Sequence, residues 1–307
     1  MKILIAGASG LIGSYLIDNF LKNGFEVVGL SRNPQKYENR YMGKVRFKKW
    51  QENDYSDWLS ELADTDVFIN LIGEMIAGKR WSPERKKILY NSRVLSGKLI
   101  SEAFMASPVK PAIFIQTSAI GIYAANPGNI LDESAPAGSN FLSKLCIDWE
   151  KSTESVENET TRRYVFRIGN VLARESFLVR MFKLQFRLFA GGHLGNGKQG
   201  FSWIHVDDLV NIYNFVISHT PSSGKYNLTA PNPVSMKDFC KTLGKILHRP
   251  SWLPVPAFML KLLFGELADE AILAGDLIKP EALLNKGFEF NYPQLKLALH
   301  SVFSAKN

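Results

Sequence analysis

The chain has 307 residues, of which 46% are hydrophobic and 21% charged, so it carries enough apolar material for one large core or two modest ones. Glycine or charge interrupts each apolar run before it reaches the ~20 residues that a membrane-spanning helix needs, as Lys261 does within 258–264. The apolar run at residues 3–6 is also too short for a signal peptide. These features exclude a membrane span and predict a cytoplasmic protein that has no membrane partner.

The two cysteines and the net charge of +8 indicate whether the protein binds a metal ion or a nucleic acid. Cys146 and Cys240 lie far apart without the spacing of a Cys/His metal motif, so we expect free thiols and no metal site. The basic residues are scattered, and their densest cluster, at 79–80 and 85–87, is short. We therefore expect no nucleic-acid partner, since an anionic small ligand explains the same charge equally well.

The first 120 residues alternate apolar, β-branched runs with helical patterns, which is typical of βαβ units and a parallel sheet. Apolar spacing of three and four residues predicts helices over 11–23 and 83–106. A further helix over 141–157 precedes a strand over 163–168. The earlier strands are predicted over 2–6, 25–30, 45–49, 66–71 and 112–117. The predicted fold class is therefore α/β, a Rossmann doubly wound parallel sheet.

Beyond residue 176, glycine-rich and proline-rich loops punctuate the chain, at 191–197, 231–233 and 250–256. This change predicts a smaller C-terminal α/β substrate lobe that packs beside the sheet and shares a cleft with it. We divide the chain into a Rossmann core over 1–172, with strand and helix contributions from about 200–228, substrate-lobe segments over 173–248, and a small C-terminal domain over 249–307.

A glycine-rich loop follows the first strand directly and opens the first predicted helix. Glycine lets the main chain approach a pyrophosphate without a Cβ in the way, and amides at a helix N-terminus bind the phosphate charge. A purely structural turn is the alternative. In this strand-loop-helix context, however, the motif predicts a nicotinamide dinucleotide site at Gly7, Ser9, Gly10, Leu11, Ile12 and Gly13.

The end of the second strand distinguishes between the two nicotinamide cofactors. Enzymes that use NAD usually place an acidic residue there, about 20 residues beyond the loop, to bind the ribose hydroxyls. This chain has Ser31 and Arg32 instead. An arginine beside a hydroxyl suits the 2′-phosphate of NADP(H), because a guanidinium forms charge-assisted bonds to phosphate. We therefore predict that NADP(H) is preferred over NAD(H), the alternative being a solvated loop arginine.

Five segments share a wider pattern: GASGLIG at 7–13, INLIGE at 69–74, QTSAIGIY at 116–123, RIGNVL at 167–172 and GNGKQGFSWIHVDDLV at 195–210. Together they resemble the extended, here atypical, short-chain dehydrogenases/reductases of the NAD-dependent epimerase/dehydratase superfamily. Three more, IAGKRW at 76–81, FLSKLCIDWE at 141–150 and GFEFNYPQLKLAL at 287–299, are similar to the subgroup called epimerase family proteins. That subgroup carries a short C-terminal domain of unknown function, here roughly 249–301.

The resemblance implies further cofactor contacts at the carboxyl ends of the predicted strands, where open α/β sheets bind ligands. Each of these residues could also be a plain strand-to-loop residue. By the resemblance, Leu71, Ile72 and Gly73 line the adenine and ribose side, Thr117 and Ser118 face the nicotinamide, and Gly169, Asn170 and Val171 cover its carboxamide end.

The pattern breaks at the catalytic helix. Reductases and epimerases of this superfamily use a tyrosine and a lysine four residues later, the lysine lowering the pKa of the tyrosine for proton transfer. Aligning the helix on Trp149-Glu150 places Leu142 and Cys146 at these two positions. An aliphatic side chain cannot relay a proton, so we expect little turnover by the usual route.

Three other groups are candidates for chemistry near the nicotinamide: the Ser118 hydroxyl, the Tyr123 phenol and the Glu74 carboxylate. Their structural alternatives are a turn serine, a packing tyrosine and a solvated glutamate. His205 is a further candidate proton carrier, but in such a segment it is more often a loop-to-helix anchor, with Asp207 as the N-cap.

The leading hypothesis is an NADP(H)-dependent oxidoreductase or epimerase with altered catalytic residues, acting as a monomer or homodimer on a small substrate in the cleft. The cleft sequences Lys79-Arg80-Trp81 and Lys198-Gln199 favour an enzyme and are compatible with an anionic substrate. The alternative is a non-catalytic sensor or regulatory protein that binds the dinucleotide without consuming it, which the missing tyrosine and lysine favour.

Overall fold

The computed structural model describes residues 1–123 and 129–304. In these ranges the strands are β1 (Lys2–Ala6), β2 (Glu26–Ser31), β3 (Arg46–Lys49), β4 (Val67–Asn70), β5 (Ile113–Ala119), β6 (Ile130–Leu131), β7 (Arg162–Ile168), β8 (Asn170–Leu172), β9 (Gly200–Phe201), β10 (Trp203–His205), β11 (Gly224–Leu228), β12 (Val234–Ser235) and β13 (Leu277–Ile278). The helices are α1 (Leu11–Lys22), α2 (Pro34–Arg40), α3 (Ser56–Leu59), α4 (Pro83–Ala106), α5 (Phe141–Lys151), α6 (Phe177–Arg187), α7 (Val206–His219), α8 (Met236–Leu247), α9 (Ala257–Phe264), α10 (Glu281–Asn285) and α11 (Leu295–Ser304). Short 3-10 turns lie at Ser60–Asp64, Ile120–Ile122 and Glu154–Val156, and a π-helical turn lies at Ala268–Ile272. Within the described ranges, no helix is both long enough and apolar enough to cross a bilayer.

Seven parallel strands form the main sheet, in the order β11-β7-β5-β4-β1-β2-β3. Helices cover both of its faces, so the predicted Rossmann-type α/β fold is confirmed. The strands β1, β4 and β5 are apolar and buried almost throughout, as the central strands of a parallel sheet are. Their carboxyl ends lie at one edge, where the predicted ligand loops follow.

Two apolar clusters pack against the two faces of the sheet. On one face α1 and α7 contribute Leu16, Phe20, Leu209, Tyr213 and Val216. On the other face α4 and the residues around α3 contribute Trp58, Leu99, Ile100 and Phe104. Because helices cover both faces of the sheet, ligands can reach it only at the ends of its strands.

The helix predicted over 141–157 is shorter than expected. α5 ends at Lys151, because the hydroxyls of the next two residues turn back onto its last carbonyls. Ser152 Oγ donates to the Trp149 oxygen at 2.7 Å, and Thr153 Oγ1 donates to the Glu150 oxygen at 3.4 Å.

The smaller lobe has its own core, in which α6, α8 and α11 surround Phe201 and Trp203. The C-terminal segment then returns to the Rossmann core. Leu267, with Phe264 packed beside it, joins a cluster with Leu142 and other residues of α4 and α5. The C-terminal segment therefore covers the carboxyl edge of the sheet next to α5.

The start of α7 anchors the C-terminal segment. His205 is the N-cap residue: its Nδ1 accepts the Asp207 N–H at 3.1 Å, and its ring stacks on Tyr292 with 3.8 Å between centroids. Burial lowers the pKa of His205, which keeps the ring neutral and able to accept this bond. Asp208 accepts the N–H groups of Asn291 and Tyr292 at 2.8 and 2.9 Å. The geometry supports the anchor interpretation, with His205 rather than Asp207 as the cap.

Candidate functional site

The turn between β1 and α1 depends on its glycines. Gly7 has a φ of +81°, and a Cβ there would lie 2.9 Å from the carbonyl carbon of Leu71. Gly10 donates its N–H to the Gly7 oxygen at 3.1 Å. A Cβ on Gly13 would lie 2.5 Å from the Ala8 oxygen, so this glycine lets α1 pack against the turn. The glycine spacing is therefore required by the geometry of the turn itself.

The start of α1 fits a pyrophosphate. Gly10 supplies no capping side chain, and the first turn contains no acidic residue. The first N–H groups of the helix are therefore left for a ligand, with the positive end of the helix dipole behind them. Among the described atoms, a Cβ added to Gly10 would meet only the Gly7 oxygen within 4 Å, at 3.4 Å. The space beside Gly10 is open to a ligand.

The adjacent carboxyl ends of β2 and β3 carry two exposed cations. Ser31 is buried, and its hydroxyl accepts the Asn33 N–H at 3.1 Å, which orders the turn. Arg32 follows it and is exposed. Lys49, also exposed, lies opposite Ser31 in the register of β2 and β3. The positive charge at the carboxyl ends of β2 and β3 therefore attracts anions.

Buried amides fix the loop after β4. Asn70 is fully buried; it donates to Gln116 Oε1 at 3.0 Å and accepts the Ile72 N–H at 3.1 Å. Leu71 and Ile72 are partly exposed, and Gly73 is exposed, at the same edge as the glycine-rich turn. The structure brings the predicted adenosine-side residues together.

A buried polar network joins β5, β7 and α5. Arg167 and Glu150 form a two-pronged ion pair, with Nε–Oε1 and Nη2–Oε2 distances of 2.9 and 3.0 Å. Ser118 donates to Glu150 Oε1 at 2.7 Å. Arg167 also donates to the Tyr123 hydroxyl at 3.0 Å, and that hydroxyl donates to Asn227 at 2.7 Å. All hydroxyls in this network are engaged within the protein.

A cavity of about 1070 Å³ opens beside this network, between the carboxyl ends of β5 and β7, helices α5 and α6, and the C-terminal segment. Ala119, Gly169 and Asn170 line its sheet side. Leu142 and Cys146 face it from α5, at the two positions of the missing tyrosine and lysine. The cavity therefore lies beside residues that the resemblance assigns to the nicotinamide side.

The three predicted catalytic side chains present no available acid to this cavity. Ser118 is 1% exposed and committed to the buried network, and Ala119 lines the cavity in its place. Tyr123 lines the cavity, but burial raises the pKa of the phenol, and its hydroxyl is already bonded to Arg167 and Asn227. The Glu74 carboxylate lies 3.1 Å from Arg85, outside the cavity lining. The geometry therefore argues against all three as proton donors.

The other residues assigned to the nicotinamide side are only partly brought together. Gly169 and Asn170 line the cavity, but Thr117 and Val171 are absent from its lining. Thr117 points to the opposite face of the sheet from Ser118, toward Tyr213 of α7, because side chains alternate along a strand. The Thr117 side chain therefore does not face the cavity.

Arg93 of α4 is a cavity-lining cation that the sequence analysis missed. It is 8% exposed, lies 5.0 Å above the ring centroid of Trp149, and donates to the main-chain oxygens of Leu89 and Glu74 at 3.2 and 2.9 Å. Burial lowers its pKa to about 10, so it is charged at neutral pH. Burial also raises the pKa of the nearby Cys146 thiol to about 11, against the opposing effect of Arg93. A positive charge thus lies beside the position of the missing lysine.

The basic sequences expected to line the cleft do not do so. Lys79 and Lys198 are exposed, and the cavity lining includes neither. Arg80 donates to a main-chain oxygen of α9 at 2.8 Å, while Trp81 and Gln199 are buried and donate to main-chain oxygens. These residues hold loops together, so they no longer favour an anionic substrate.

Comparison with known proteins identifies the family. The sequence pattern of the NAD dependent epimerase/dehydratase family matches residues 3–229, which include the glycine-rich turn and the loops that follow β4, β5 and β7. The chain belongs to this family. Residues 255–302 match a second pattern, the domain of unknown function DUF1731. The resemblance noted in the sequence is thereby confirmed.

Relatives of this family member align over nearly its whole length. An epimerase family protein SDR39U1 homolog of Arabidopsis thaliana, described as chloroplastic, is 36% identical over 98% of this chain and 86% of its own. Epimerase family protein YfhF of Bacillus subtilis is 34% identical over 99% of this chain and 98% of its own.

Solved structures share the fold. The human epimerase family protein SDR39U1, solved with NADPH, superposes over 100% of both chains with a TM-score of 0.89 and 27% identity. A nucleoside-diphosphate sugar epimerase from Corynebacterium glutamicum covers 98% of this chain, which spans 58% of that protein, with a TM-score of 0.74 and 30% identity. The UDP-glucuronic acid 4-epimerase of Bacillus cereus, solved with NAD, has a TM-score of 0.78 at 18% identity over 99% of this chain and 98% of its own. At that identity it shows the fold alone.

Proposed function

We propose that this family member is an NADP(H)-dependent oxidoreductase or epimerase that acts on a small substrate without the usual tyrosine and lysine. The observation that carries this proposal is the cavity of about 1070 Å³ at the carboxyl ends of β5 and β7. Pockets of this size at this position of an open α/β sheet are typical of substrate sites. A protein that only sensed the dinucleotide would not need such a chamber.

The residues at the sheet edge fit the cofactor. The turn at 7–13 would hold the pyrophosphate, loop 71–73 the adenosine half, and the main chain at 117 and 169–170 the nicotinamide half. Arg32, assisted by Lys49, would bind the 2′-phosphate. Bound NADPH supplies a hydride. The human relative solved with NADPH supports NADP(H), although other structures of this fold contain NAD.

Arg93 would supply the positive charge that the catalytic lysine supplies in other reductases and epimerases of this superfamily. Carbonyl reduction places negative charge on the substrate oxygen, and a fixed cation in a water-poor site stabilises that charge. Arg93 is held by two main-chain oxygens and the Trp149 ring, so it needs no reorganisation. Leu142, at the tyrosine position, has no proton to give, which leaves the substrate itself or water as the proton source.

Hydride transfer can be tested without knowing the substrate. The protein is incubated with NADPH that is deuterated at both C4 positions and with a protein-free extract of cellular metabolites that includes the organic-soluble fraction. An oxidoreductase should give a product that is heavier by one deuterium in mass spectra, and heat-denatured protein should give none. An epimerase returns the hydride to its own substrate, so with NADP+ it should give an isomer of the substrate and no deuterated product. The alternative, a sensor that only binds the dinucleotide, is favoured by the absent tyrosine and lysine. It predicts that NADPH binds while neither a deuterated product nor an isomer is formed.

Arg32 is expected to set the cofactor preference. Arg32→Ala should weaken NADPH binding about 10- to 100-fold, the effect of losing a charge-assisted bond of about 1.5–3 kcal/mol, and leave NADH binding nearly unchanged. Arg40→Ala, which removes another exposed arginine on the adjacent helix, should alter neither affinity. Calorimetric titration measures both affinities. An equal loss for the two cofactors would contradict the assignment.

A cytoplasmic location and a monomeric or homodimeric state remain part of the proposal. Cys146 and Cys240 are free and buried, which fits a reducing compartment. The relatives include bacterial proteins and one described as chloroplastic.

A further inference from the structure

We propose that the cavity binds an apolar, chain-like substrate, which enters between α6 and α9. This inference rests on the proposed function for the hydride chemistry, but not for the binding itself. It names the substrate class, which distinguishes this chain from the sugar-nucleotide epimerases that share its fold.

Most polar side chains that line the cavity, among the described residues, are engaged within the protein; the exception is the indole N–H of Trp149, a buried donor without a partner. Asn170 donates to the Ser202 oxygen at 2.9 Å, and Ser202 Oγ donates to the Asp276 oxygen at 2.7 Å. Glu270 accepts the N–H groups of Phe141 and Leu142 at the start of α5, at 3.2 and 3.0 Å. The remaining polar side chains, Asn140, Gln185, Tyr123, Arg93 and Asp276, each have a partner within the protein as well.

Apart from these side chains, the part of the cavity wall that the structure describes is mainly aliphatic or aromatic. Representative residues are Leu145, Phe182, Leu260, Phe264, Leu267 and Ile278. A hydroxyl-rich ligand such as a sugar would lose its bonds to water here without gaining enough new ones, which opposes binding. An apolar chain loses nothing of this kind, and each methylene that it buries tightens binding about fourfold. Arg93 and Asn170, at the sheet end, are placed to meet one polar group on the ligand.

The mouth of the cavity is apolar as well. Phe177 and Met181 of α6, Leu253, and Met259 of α9 line the cavity, yet they are 38–50% exposed. These residues therefore lie where the cavity meets solvent. Beyond them the surface remains apolar at Leu184, Leu188, Phe189, Trp252, Phe258, Leu262 and Leu263, each 54–72% exposed. Exposed apolar residues on the elements that form the opening of a cavity are typical of an interaction site for apolar partners.

Two sources could supply an apolar ligand: solution and a lipid bilayer. α6 carries Arg180, Lys183 and Arg187 among its exposed apolar residues, and it contains no acidic residue. Basic residues beside an apolar helix face are typical of helices that lie on anionic lipid. The expected source is therefore the surface of an anionic bilayer, with the cavity mouth against it, which replaces the expectation from the sequence that the protein has no membrane partner.

Cavity binding is tested with the neutral apolar fluorophore 1-N-phenylnaphthylamine. Met181→Asp and Met259→Asp place a short charged side chain at the cavity mouth. Their matched controls are Leu184→Asp and Leu262→Asp, on the same helices but outside the lining. We expect the dissociation constant of the probe to rise at least tenfold in the first pair and less than twofold in the second. Stabilisation of all four variants by NADPH, measured as a shift in Tm, verifies that they fold.

Unchanged probe binding in Met181→Asp and Met259→Asp would overturn the proposal. So would an equal loss in the control variants, because the probe would then occupy only the outer patch. Failure here with successful deuterium transfer would leave the proposed function standing with a different substrate class. Probe binding without any deuterium transfer would retain the ligand class and reject the oxidoreductase.

Whether the ligand comes from a lipid bilayer is tested by sedimentation of the protein with vesicles of phosphatidylcholine, with and without phosphatidylglycerol. We expect binding only to the anionic vesicles, reduced about fivefold for each of Arg180, Lys183 and Arg187 that is replaced by glutamine. Binding to neither kind of vesicle would overturn the lipid source and assign the ligand to solution.

Discussion

Replacing Glu150 with glutamine is expected to lower the free energy of unfolding by about 3–5 kcal/mol, because Arg167 would keep a buried charge without its carboxylate. Both side chains are under one tenth exposed, and the pair is two-pronged. The same substitution changes the acceptor of the Ser118 hydroxyl. Urea denaturation measures the loss.

Two further variants show whether the loss comes from the buried charge. Glu26→Gln removes a salt bridge to Arg46 in which both side chains are 56% exposed, and it should cost only about 0–1 kcal/mol. Replacing both Glu150 and Arg167 with methionine should recover part of the loss, because no buried charge is then left unpaired. If Glu150→Gln costs no more than Glu26→Gln, the network does not hold β5, β7 and α5 together.

The second large effect is expected at Cys146. Cys146→Lys restores the lysine of the superfamily in sequence, but it places a second cation beside the buried Arg93. We expect a loss of about 3–5 kcal/mol in the free energy of unfolding, because a buried charge without a partner is strongly destabilising. Cys146→Met, which changes volume without charge, should cost less than half as much.

If Arg93 has taken the place of the lysine, the substitutions Arg93→Met and Cys146→Lys should compensate each other. Arg93→Met alone should weaken NADPH binding, whereas Arg93→Met with Cys146→Lys should recover both stability and affinity. Binding of 2′,5′-ADP, which lacks the nicotinamide half, should be the same in every variant. Calorimetric titration separates these outcomes, and additive losses in the double variant would show that Arg93 acts independently of this position.

Restoring Leu142→Tyr together with Cys146→Lys is therefore not expected to create an efficient reductase. In the native protein Arg93 already occupies the space near residue 146, and the cavity in front of residue 142 is apolar. The altered catalytic helix and the altered cavity are parts of one site.

The sequence predicted those features that depend on neighbouring residues. The glycines of the turn at 7–13 specify a strand-to-helix connection over a few residues, and the apolar runs of β1, β4 and β5 specify buried parallel strands. The missing tyrosine and lysine are visible at four-residue spacing within α5. Each of these signals lies within one or two consecutive elements, where periodicity and local sterics determine the conformation.

The sequence did contain one indication that Arg93 has a specific role, which the predictions did not use. It lies four residues after Leu89 and seven before Ile100, so it shares the buried face of α4 with them. A charged residue on such a face is costly unless it has partners, which marks it as a candidate for a specific role. Its partners, Trp149 and the oxygen of Glu74, could not be inferred from this spacing.

The tertiary structure alone decided which groups meet at the site. Ser118 and Glu150 are separated by 32 residues and Tyr123 and Asn227 by 104, and these pairings engage the predicted catalytic hydroxyls in hydrogen bonds within the protein. The apolar chamber likewise needs α5, α6 and the C-terminal segment to converge from distant parts of the chain. The sequence by itself determined the Rossmann fold and the place for a dinucleotide, because those follow from local pattern. The character of the substrate site depends on which side chains use up their hydrogen bonds on one another, and only packing between distant elements settles that.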